Sequence, residues 1–268
     1  MAAKQRLDQR LTALGLVQSR SQAESFIKLG EVKVNGTVQT KPGFAVGEND
    51  EIQLTAKEQY VSRAALKLAS VAQTLKINFQ GKTVLDVGSS TGGFTDYALK
   101  HGATKVIAVE VGTDQLHPSL HGNPQIELHE QTDIRDVRPR HPEFISGPHS
   151  KSNGIPKPVR DDGVVEIDVP DIVVADVSFI SLREILPAVA KLSTKQTQIV
   201  AMVKPQFEAV ESSLKHKGVI KNDKMRRDIL KDFEQWTQPR FIILDKADSA
   251  VAGSKGNQER FYLLKLAS

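Results

Sequence analysis

The sequence predicts an α/β protein in two parts, a small α+β domain followed by a larger domain with a mostly parallel sheet and helices on both faces. Three observations lead to this prediction. The first 55 residues hold two short helical patterns and a strand–turn–strand pattern. Beyond residue 61, short apolar runs alternate with segments long enough for crossover helices. The length of 268 residues is also a little under two domains of typical size.

The composition limits the class of protein. Hydrophobic residues make up 39% of the chain and charged residues 25%, and there is no cysteine. Such a chain can bury a core without disulfides, and thiolate metal sites and cysteine nucleophiles are excluded. No apolar run approaches the ~20 residues that span a bilayer, and the polar N-terminus has no signal-peptide pattern. We therefore expect a cytoplasmic protein that has no membrane contact.

The excess positive charge is confined to the N-terminal end. The whole chain has a formal net charge of +4, and residues 1–45 alone contain seven basic and three acidic residues. The rest of the chain is therefore close to neutral. Scattered charges usually form a solvated surface, whereas basic residues gathered on one small domain favour an interaction surface.

Two helices are predicted at this end of the chain. The first has leucines at spacings of four and three residues and stops at Gly15. The second begins at a serine cap, either Ser19 or Ser21, and ends at Gly30. The residues expected to face inward are Leu7, Leu11, Leu14, Ala23, Phe26 and Ile27.

Short strands are predicted after the helices. Residues 32–34 and 37–40 flank Asn35-Gly36, a dipeptide typical of two-residue hairpin turns. Residues 51–54 form a further predicted strand. Two helices and a small sheet in a segment of this length make a compact module.

This module resembles the RNA-binding domain first named in ribosomal protein S-four. The resemblance rests on RLDQRL, on GLVQSRSQAESFIKLGEVKVNG and on ENDEIQL, which together cover nearly the whole segment. In that family the basic helix pair and the SR and VNG positions face the RNA. A basic module that binds a protein is the alternative. The resemblance implies RNA contacts at Arg6, Arg10, Ser19, Arg20, Lys28 and Lys33.

The rest of the chain is predicted to form a second domain. Residues 56–61 have no apolar periodicity and are expected to link an N-terminal domain, residues 1–55, to a C-terminal domain, residues 62–268. Residues 146–168, rich in Gly, Pro, Ser and Asp, are expected to form a long inserted surface loop. A seven-stranded sheet with its last strand antiparallel is expected. The predicted strands are 83–87, 106–109, 126–129, 172–175, 199–203, 242–244 and 262–266.

The first strand of this sheet leads into a glycine-rich loop, VLDVGSSTGGFT. Gly88, Gly92 and Gly93 allow the backbone to turn sharply and to approach a ligand. The spacing is neither GxGxxG nor the phosphate-binding GKS or GKT. Glu110 ends the next strand, 22 residues after Gly88, where an acid can accept both hydrogen bonds of a ribose diol. S-adenosylmethionine, a nucleoside cofactor without pyrophosphate, fits; a tight strand-to-helix connection is the alternative.

Three further strands are followed by charged residues. Asp133 comes after the third strand, where it could reach an adenine amino group, Asp176 ends the fourth and Lys204 the fifth. Ligands bind at the carboxyl ends of the strands in an open α/β sheet. Because a buried lysine without a partner is costly, we expect Asp176 and Lys204 to pair. A purely structural salt bridge is the alternative, and it leaves the location of the pair unexplained.

Glu259 and Lys67 complete a set of four charged residues. Glu259 lies in KGNQERF at the start of the last strand, and an antiparallel last strand brings it to the same edge of the sheet. Lys67 lies in YVSRAALKLASV, a predicted helix whose apolar face leaves it on the surface shared with Arg63. Considered alone, such a lysine is expected to be solvated.

The set resembles the Lys-Asp-Lys-Glu tetrad of FtsJ-like ribose 2′-O-methyltransferases, in the same chain order. With SRAALKL, DVGSSTGGFTD, DVSFISL, VKPQFE and GNQERF, and the S-four-type module in front, the chain resembles the TlyA, or haemolysin A, family from about residue 4 to 264. The inserted loop, and Glu110 where many relatives have aspartate, are departures. The candidate catalytic residues are Lys67, Asp176, Lys204 and Glu259. The candidate S-adenosylmethionine-binding residues are Asp86, Gly88, Ser89, Ser90, Thr91, Gly92, Gly93, Phe94, Glu110, Asp133 and Ile134.

The resemblance implies methylation of a ribose 2′-hydroxyl in ribosomal RNA, with cytidine as the nucleotide and no metal. By analogy with the family, Lys204 contacts the hydroxyl as a base or as an orienting group. Lys67 would lower the proton affinity of Lys204 by repulsion, whereas Asp176 and Glu259 would oppose that effect. The N-terminal domain would dock on ribosomal RNA or a ribosomal subunit, and the C-terminal domain would take an unstacked nucleotide.

Other classes of function stay open at this point. A non-catalytic rRNA-binding assembly factor would leave the site idle, although the intact tetrad argues against it. A membrane-active haemolysin is suggested by the family label, although the sequence has no spanning segment. A small-molecule methyltransferase would leave the basic N-terminal domain without a role.

Overall fold

The structure, a computed structural model, describes residues 4–17, 19–56, 60–140, 164–209, 218–253 and 256–267. The elements of the N-terminal domain are β1 (Gln5–Arg6), α1 (Leu7–Ala13), α2 (Arg20–Lys28), β2 (Val32–Val34), β3 (Thr37–Val38), β4 (Ala45–Val46) and β5 (Ile52–Leu54). Those of the C-terminal domain are α3 (Arg63–Ala72), β6 (Thr83–Val87), α4 (Gly93–Lys100), β7 (Lys105–Val109), β8 (Ile126–His129), β9 (Arg138–Pro139), β10 (Glu166–Ile167), β11 (Ile172–Ala175), α5 (Leu182–Lys191), β12 (Gln198–Val203), α6 (Pro205–Glu208), α7 (Asp223–Thr237), β13 (Phe241–Asp248) and β14 (Arg260–Leu266).

The N-terminal domain forms the predicted helix pair and hairpin. The Ser19 hydroxyl accepts a hydrogen bond from the Gln22 N–H and caps α2, so Ser19 rather than Ser21 is the cap. Asn35 and Gly36 both have positive φ, 50° and 76°, as a two-residue hairpin turn requires. Strand β2 pairs with β3 on one side and β5 on the other, and β1 pairs with β4 in a separate ribbon.

The C-terminal domain is built on a seven-stranded sheet with the order β13-β14-β12-β11-β6-β7-β8. Strands β12, β11, β6, β7 and β8 are parallel to one another, and β14 runs antiparallel to both of its neighbours. The predicted mostly parallel sheet with an antiparallel last strand is therefore confirmed. Antiparallel β14 brings its first residue to the edge where β11 and β12 end.

Helices cover both faces of this sheet because alternate residues of each strand point to opposite sides. Leu85, Ile107 and Val173 pack with α5 and α7 on one face. Val84, Val106 and Val174 pack with α3 and α4 on the other face. The parallel strands are apolar on both faces, which explains their continuous hydrophobic runs.

The two domains share an apolar core. Leu66 of α3 and Val251, which lies between β13 and β14, are 3% and 2% exposed. Both pack in one cluster with the core residues of the N-terminal domain, including Phe26 and Ile27. The N-terminal domain therefore rests on the helix and the turn that carry two of the candidate catalytic residues.

Several boundaries differ from the sequence predictions. Helix α1 ends at Ala13, and Leu14 is exposed rather than inward, because the helix stops one residue before the last predicted core position. Strand β3 is shorter than predicted, and β13 is longer. Strands β1, β4, β9 and β10 were not predicted, because two-residue strands have no periodic signal. Most of the predicted inserted loop lies outside the described residues; within 164–168, β10 pairs in parallel with β9.

Candidate active site

The sheet brings the charged strand ends together. Strands β11 and β12 are parallel neighbours, so Asp176 and Lys204, the residues that follow them, come to the same edge. Val203 lies opposite Arg260 in the antiparallel pairing of β12 with β14, which places Glu259 beside Lys204. Both predicted reasons for this convergence, parallel strand ends and the antiparallel last strand, apply in the structure.

Asp176 and Lys204 form the expected ion pair. Asp176 Oδ1 lies 2.5 Å from Lys204 Nζ, and the two side chains are 16% and 10% exposed. The lysine also donates a hydrogen bond to Ser178 Oγ at 2.7 Å. The ring of Phe207 lies on another side of the ammonium group, with its centroid 6.0 Å from Nζ. The amine is thus held on the edge of the sheet by groups from the loop after β11 and from α6.

Lys67 and Glu259 form a second ion pair, which is more deeply buried. Lys67 Nζ lies 2.6 Å from Glu259 Oε2, and little of either side chain is exposed. The expectation that Lys67 lies on a solvated helix face is therefore wrong, because β14 and its preceding turn cover that face of α3. Burial raises the pKa of Glu259 above its ordinary value, although Lys67 opposes this shift.

The two ion pairs act on each other. The charge of Asp176 raises the pKa of Glu259 and the charge of Lys204 lowers it. Four charges of balanced sign therefore share a small, poorly solvated volume. Such a cluster can hold an amine in a fixed place and can exchange a proton without creating a large net charge.

The glycine loop passes very close to Asp176. Gly88 has a φ of 78°, and a Cβ at this residue would lie 2.8 Å from the Asp176 carbonyl oxygen. No other residue type fits both conditions. A cavity of about 140 Å³ lies between this loop and Lys204, and it is lined by Ala64, Asp86, Gly88, Ser89, Ser90, Thr91, Phe94, Asp176, Ser178 and Lys204.

Asp86 is a buried acid beside this loop. Burial raises its pKa to about 7, and the carboxylates of Asp176 and Glu110 act in the same direction, whereas a hydrogen bond from Thr95 opposes them. Thr95 Oγ1 donates to Asp86 Oδ2 at 2.7 Å. The other oxygen, Oδ1, is buried without a hydrogen-bond partner in the described part of the chain. An unpaired acceptor of this kind fits a donor group on a ligand.

A wider cleft of about 550 Å³ continues along the sheet edge from Gly88 to Ile134. Glu110 lies in its wall and accepts hydrogen bonds from the N–H groups of Ser90 and Gly112, at 2.9 and 2.8 Å. These bonds fix the carboxylate and leave further lone pairs for a diol. Asp133 also lines the cleft, but Arg135 binds it and holds its pKa below the ordinary value.

Gly92 and Gly93 are required for packing. A Cβ at Gly92 would lie 2.6 Å from Leu120, and one at Gly93 would lie 2.2 Å from the Ser62 hydroxyl. Both glycines therefore let α4 begin close to its neighbours, whereas Gly88 and Ser90 line the cavities. The tight strand-to-helix connection posed as an alternative from sequence is therefore present, and the loop before it also lines both cavities.

Phe179 and Glu208 are residues of this edge that sequence reasoning missed. Phe179 is 90% exposed, has a φ of 67°, and its ring lies 5.4 Å from that of Phe207. Glu208 is buried and accepts hydrogen bonds from Ser181 Oγ and the Leu182 N–H. Burial raises the pKa of Glu208. An aromatic residue three positions after the charged strand end, in DVSF, is the available sequence signal for Phe179.

The candidate RNA-contact residues lie on the N-terminal domain but differ in their surroundings. Arg6 and Arg20 both bind Asp8, at 2.8 and 2.9 Å, and Asp8 is fully buried. Although its burial acts in the opposite direction, the two guanidinium groups hold the pKa of Asp8 below its ordinary value. Arg10 donates to the Glu48 carbonyl oxygen at 3.4 Å. Ser19 serves as the α2 cap, Lys28 is exposed and Lys33 is half-buried on β2.

Two features of the described residues are relevant to the alternatives. Within the described ranges, no group of three or more His, Asp or Glu side chains is arranged to hold a metal ion. No helix of the described part of the chain has the length and apolar character needed to cross a membrane.

The fold and the site define an S-adenosylmethionine-type α/β methyltransferase domain joined to an RNA-binding module. The FtsJ-like methyltransferase family model matches residues 60–266, and the S4 domain model matches residues 5–52. The chain belongs to the FtsJ-like methyltransferase family, in the group named TlyA or hemolysin A.

Individual relatives span nearly the whole chain. The chain is 33% identical to "Hemolysin A" of Brachyspira hyodysenteriae over 95% of its length and 97% of that protein. It is 33% identical to "16S/23S rRNA (cytidine-2'-O)-methyltransferase TlyA" of Mycobacterium tuberculosis, over 99% of this chain and 91% of that protein. A solved structure of a hemolysin from Streptococcus thermophilus matches with a TM-score of 0.65 at 31% identity, and covers 100% of this chain and 90% of its own.

Proposed function

We propose that this chain transfers the methyl group of S-adenosylmethionine to a ribose 2′-hydroxyl of ribosomal RNA. The observation that carries the proposal is the cluster of two ion pairs, Lys67–Glu259 and Asp176–Lys204, beside a glycine-lined cleft at the carboxyl edge of the sheet. The FtsJ-like family and the names of the relatives support RNA as the substrate and cytidine as the nucleotide. We expect the protein to act in the cytoplasm, where ribosomal RNA is found.

The wide cleft is the proposed cofactor site, and it fits an adenosine-bearing molecule. Glu110 would accept the ribose diol, and Asp133 with Ile134 would border the adenine. The loop from Gly88 to Ser90 and the unpaired oxygen of Asp86 would receive the amino-acid part. When bound, S-adenosylmethionine supplies an electrophilic methyl group.

Lys204 is the proposed residue that contacts the 2′-hydroxyl. A ribose hydroxyl is a poor nucleophile at neutral pH, so it must be positioned and must lose its proton during the attack. Lys204 Nζ faces the small cavity that separates it from the glycine loop. Asp176 fixes the amine, and the buried Lys67–Glu259 pair places a second positive charge nearby whose repulsion is offset by its own carboxylate.

The RNA would be held by the basic N-terminal domain and by an aromatic contact at the site. Lys28 is exposed on α2, and Arg6, Arg10 and Arg20 lie on the same domain. Phe179 projects into solvent beside Ser178 and Lys204, where an unstacked base could stack on its ring. The proposed substrate is therefore a nucleotide that leaves its helix.

The test is transfer of a tritiated methyl group to small and large ribosomal subunits from cells that lack this protein. Wild type is expected to label the RNA, and Lys204→Ala is expected to reduce the rate by ~100-fold or more, in line with loss of general base catalysis. Lys191→Ala, an exposed lysine at the end of α5, is the matched control and should retain the wild-type rate. Equal labelling by wild type and Lys204→Ala would overturn the proposed role of Lys204.

The same assay separates this proposal from a non-catalytic assembly factor. Such a protein would bind the ribosomal subunits as tightly as the proposal requires but would transfer no methyl group. Binding without labelling by the wild-type protein, with S-adenosylmethionine present at saturating concentration, would favour the assembly factor.

A further inference from the structure

Ser178 is a partner of Lys204 that lies outside the set of two ion pairs. Ser178 Oγ lies 2.7 Å from Lys204 Nζ and accepts a hydrogen bond from it. Asp176 Oδ1 lies 2.5 Å from the same nitrogen. Both oxygens belong to the loop of residues 176–181, so one short segment holds the amine through one hydrogen bond and one ion pair.

Buried contacts fix this loop at both ends. At the first end, the Asp176 N–H donates to the Val87 carbonyl oxygen at 3.1 Å, and the Asp176 carbonyl lies against Gly88. At the second end, Glu208 accepts hydrogen bonds from Ser181 Oγ at 2.6 Å and from the Leu182 N–H at 2.8 Å. Ser178 is itself exposed, but the place of its hydroxyl is determined by these anchors.

The arrangement matches the needs of a neutral lysine. A lysine that takes a proton has two N–H bonds and one lone pair, and the lone pair must face the proton that it receives. With one N–H directed at Ser178 and the Asp176 carboxylate also beside the nitrogen, the lone pair is directed away from this loop. The small cavity that contains Lys204 and Ser178 in its lining, with Gly88 and Ser90 on another side, offers space for it.

We propose that Ser178 is a positioning residue that directs the lone pair of Lys204 toward the ribose 2′-hydroxyl. This inference rests on the proposed function and adds a residue that the tetrad does not contain. As the bond between the 2′-oxygen and the methyl carbon forms, the bond between that carbon and sulfur breaks, and its electron pair stays on sulfur. The hydroxyl proton passes to the lone pair of Lys204, which becomes an ammonium and later releases the proton to solvent.

The test compares Ser178→Ala and Ser178→Thr with wild type in the methyl-transfer assay. Ser178→Ala is expected to lower kcat by ~10-fold, near the upper end of what one neutral hydrogen bond contributes, and no further because water can partly replace an exposed hydroxyl. The KM for RNA and the affinity for S-adenosylmethionine should stay unchanged, since Ser178 acts through Lys204. Ser178→Thr keeps the hydroxyl and has room for its methyl group, so it should remain within about twofold of wild type.

A matched control and a second measurement keep this inference separate from the proposed function. Ser193→Ala removes a serine hydroxyl that bonds only to the Val189 carbonyl among the contacts described, at the far end of α5, and should leave kcat unchanged. Acetylation of Lys204 by acetic anhydride, measured by mass spectrometry without RNA, should become several-fold faster in Ser178→Ala, because the amine loses an acceptor.

The outcomes point to different conclusions. If Lys204→Ala is inactive while Ser178→Ala matches wild type in kcat, the positioning role is wrong and the proposed function stands. If Ser178→Ala and Ser178→Thr lose activity equally, the hydroxyl is not the cause, and the inference is again overturned. If wild type labels no RNA, the proposed function fails, and unchanged acetylation of Lys204 in Ser178→Ala would separately refute the contact.

Discussion

Lys67 Nζ lies 2.6 Å from Glu259 Oε2, and the two side chains are only 10% and 3% exposed. The lysine comes from α3, the first helix of the C-terminal domain, and the glutamate directly precedes β14, its last strand. The ion pair therefore joins the two ends of this domain across the edge of the sheet. Because both charges have left water, each depends on the other.

Removing one partner of this pair is expected to be costly. Lys67→Ala would leave Glu259 buried without its partner, so we expect the free energy of unfolding to fall by ~3 kcal/mol, measured by urea titration. Lys67→Met/Glu259→Leu removes both charges and should recover most of that loss while methyl transfer stays absent. Lys246→Ala breaks the more exposed pair with Glu234 and should cost under ~1 kcal/mol. A double variant as active as wild type would refute a catalytic role for the pair.

Asp86 is expected to make the protein less stable as the pH rises toward neutrality. Its pKa is about 7 in the folded chain, whereas an unfolded aspartate titrates near ~4. Between these values the folded state keeps a proton that the unfolded state has released, so each pH unit costs about 1.4 kcal/mol of unfolding free energy. Asp86→Asn keeps the acceptor for Thr95 and should remove this slope. Parallel stability curves for wild type and Asp86→Asn between pH 5 and 6.5 would contradict the raised pKa.

Glu208 is expected to support the loop of residues 176–181. Glu208→Ala leaves Ser181 and the Leu182 N–H without their buried acceptor, which should cost ~1–3 kcal/mol in unfolding free energy and reduce methyl transfer. Glu208→Gln keeps an acceptor and should lose less of both. Glu184→Ala, in the first turn of α5 and half-exposed, is the control and should change neither by much. Equal effects of Glu184→Ala and Glu208→Ala would contradict the proposal that Glu208 supports this loop.

Phe179 is expected to contribute to RNA handling and not to stability. Its ring is 90% exposed, so Phe179→Ala should leave the melting temperature nearly unchanged. Loss of a stacked base is worth ~1–3 kcal/mol, which corresponds to about a 5- to 150-fold loss in kcat/KM for RNA. S-adenosylmethionine binding should be retained, and Phe179→Trp should restore most of the activity. A Phe179→Ala variant with wild-type kcat/KM would exclude base stacking here.

Lys28 is expected to contact an RNA phosphate. Lys28→Ala should weaken binding of a ribosomal RNA fragment and lower the slope of log affinity against log salt by ~0.7–0.9, the contribution of one phosphate contact. Lys195→Ala removes an exposed lysine just before β12, at the opposite edge of the sheet from the candidate site, and serves as the control. Fluorescence anisotropy at several salt concentrations measures both. The same slope for both variants would place Lys28 outside the interface.

The sequence predicts the position of those site residues that directly follow a recognisable strand. Parallel apolar runs predict which strand ends meet, and therefore place Asp176, Lys204 and Glu110 at one edge of the sheet. Lys67 could not be placed in this way, because its helix has an ordinary apolar face and the covering turn before β14 is distant in sequence. Phe179 and Ser178 were not predicted as site residues for a related reason. A positive φ at residue 179 turns the loop, and no periodic sequence pattern indicates that turn.

The packing of Leu66 and Val251 into the core of the N-terminal domain makes the fused modules mutually dependent. Leu66 is the neighbour of Lys67, and the turn that holds Val251 also bonds the Glu259 backbone through Ser249. A substitution at Ile27, in the core of the N-terminal domain, therefore alters the packing that supports the Lys67–Glu259 pair. Substitutions outside the methyltransferase domain should therefore also affect methyl transfer. Cleavage of the chain at the linker would separate two domains that each lose part of their apolar core.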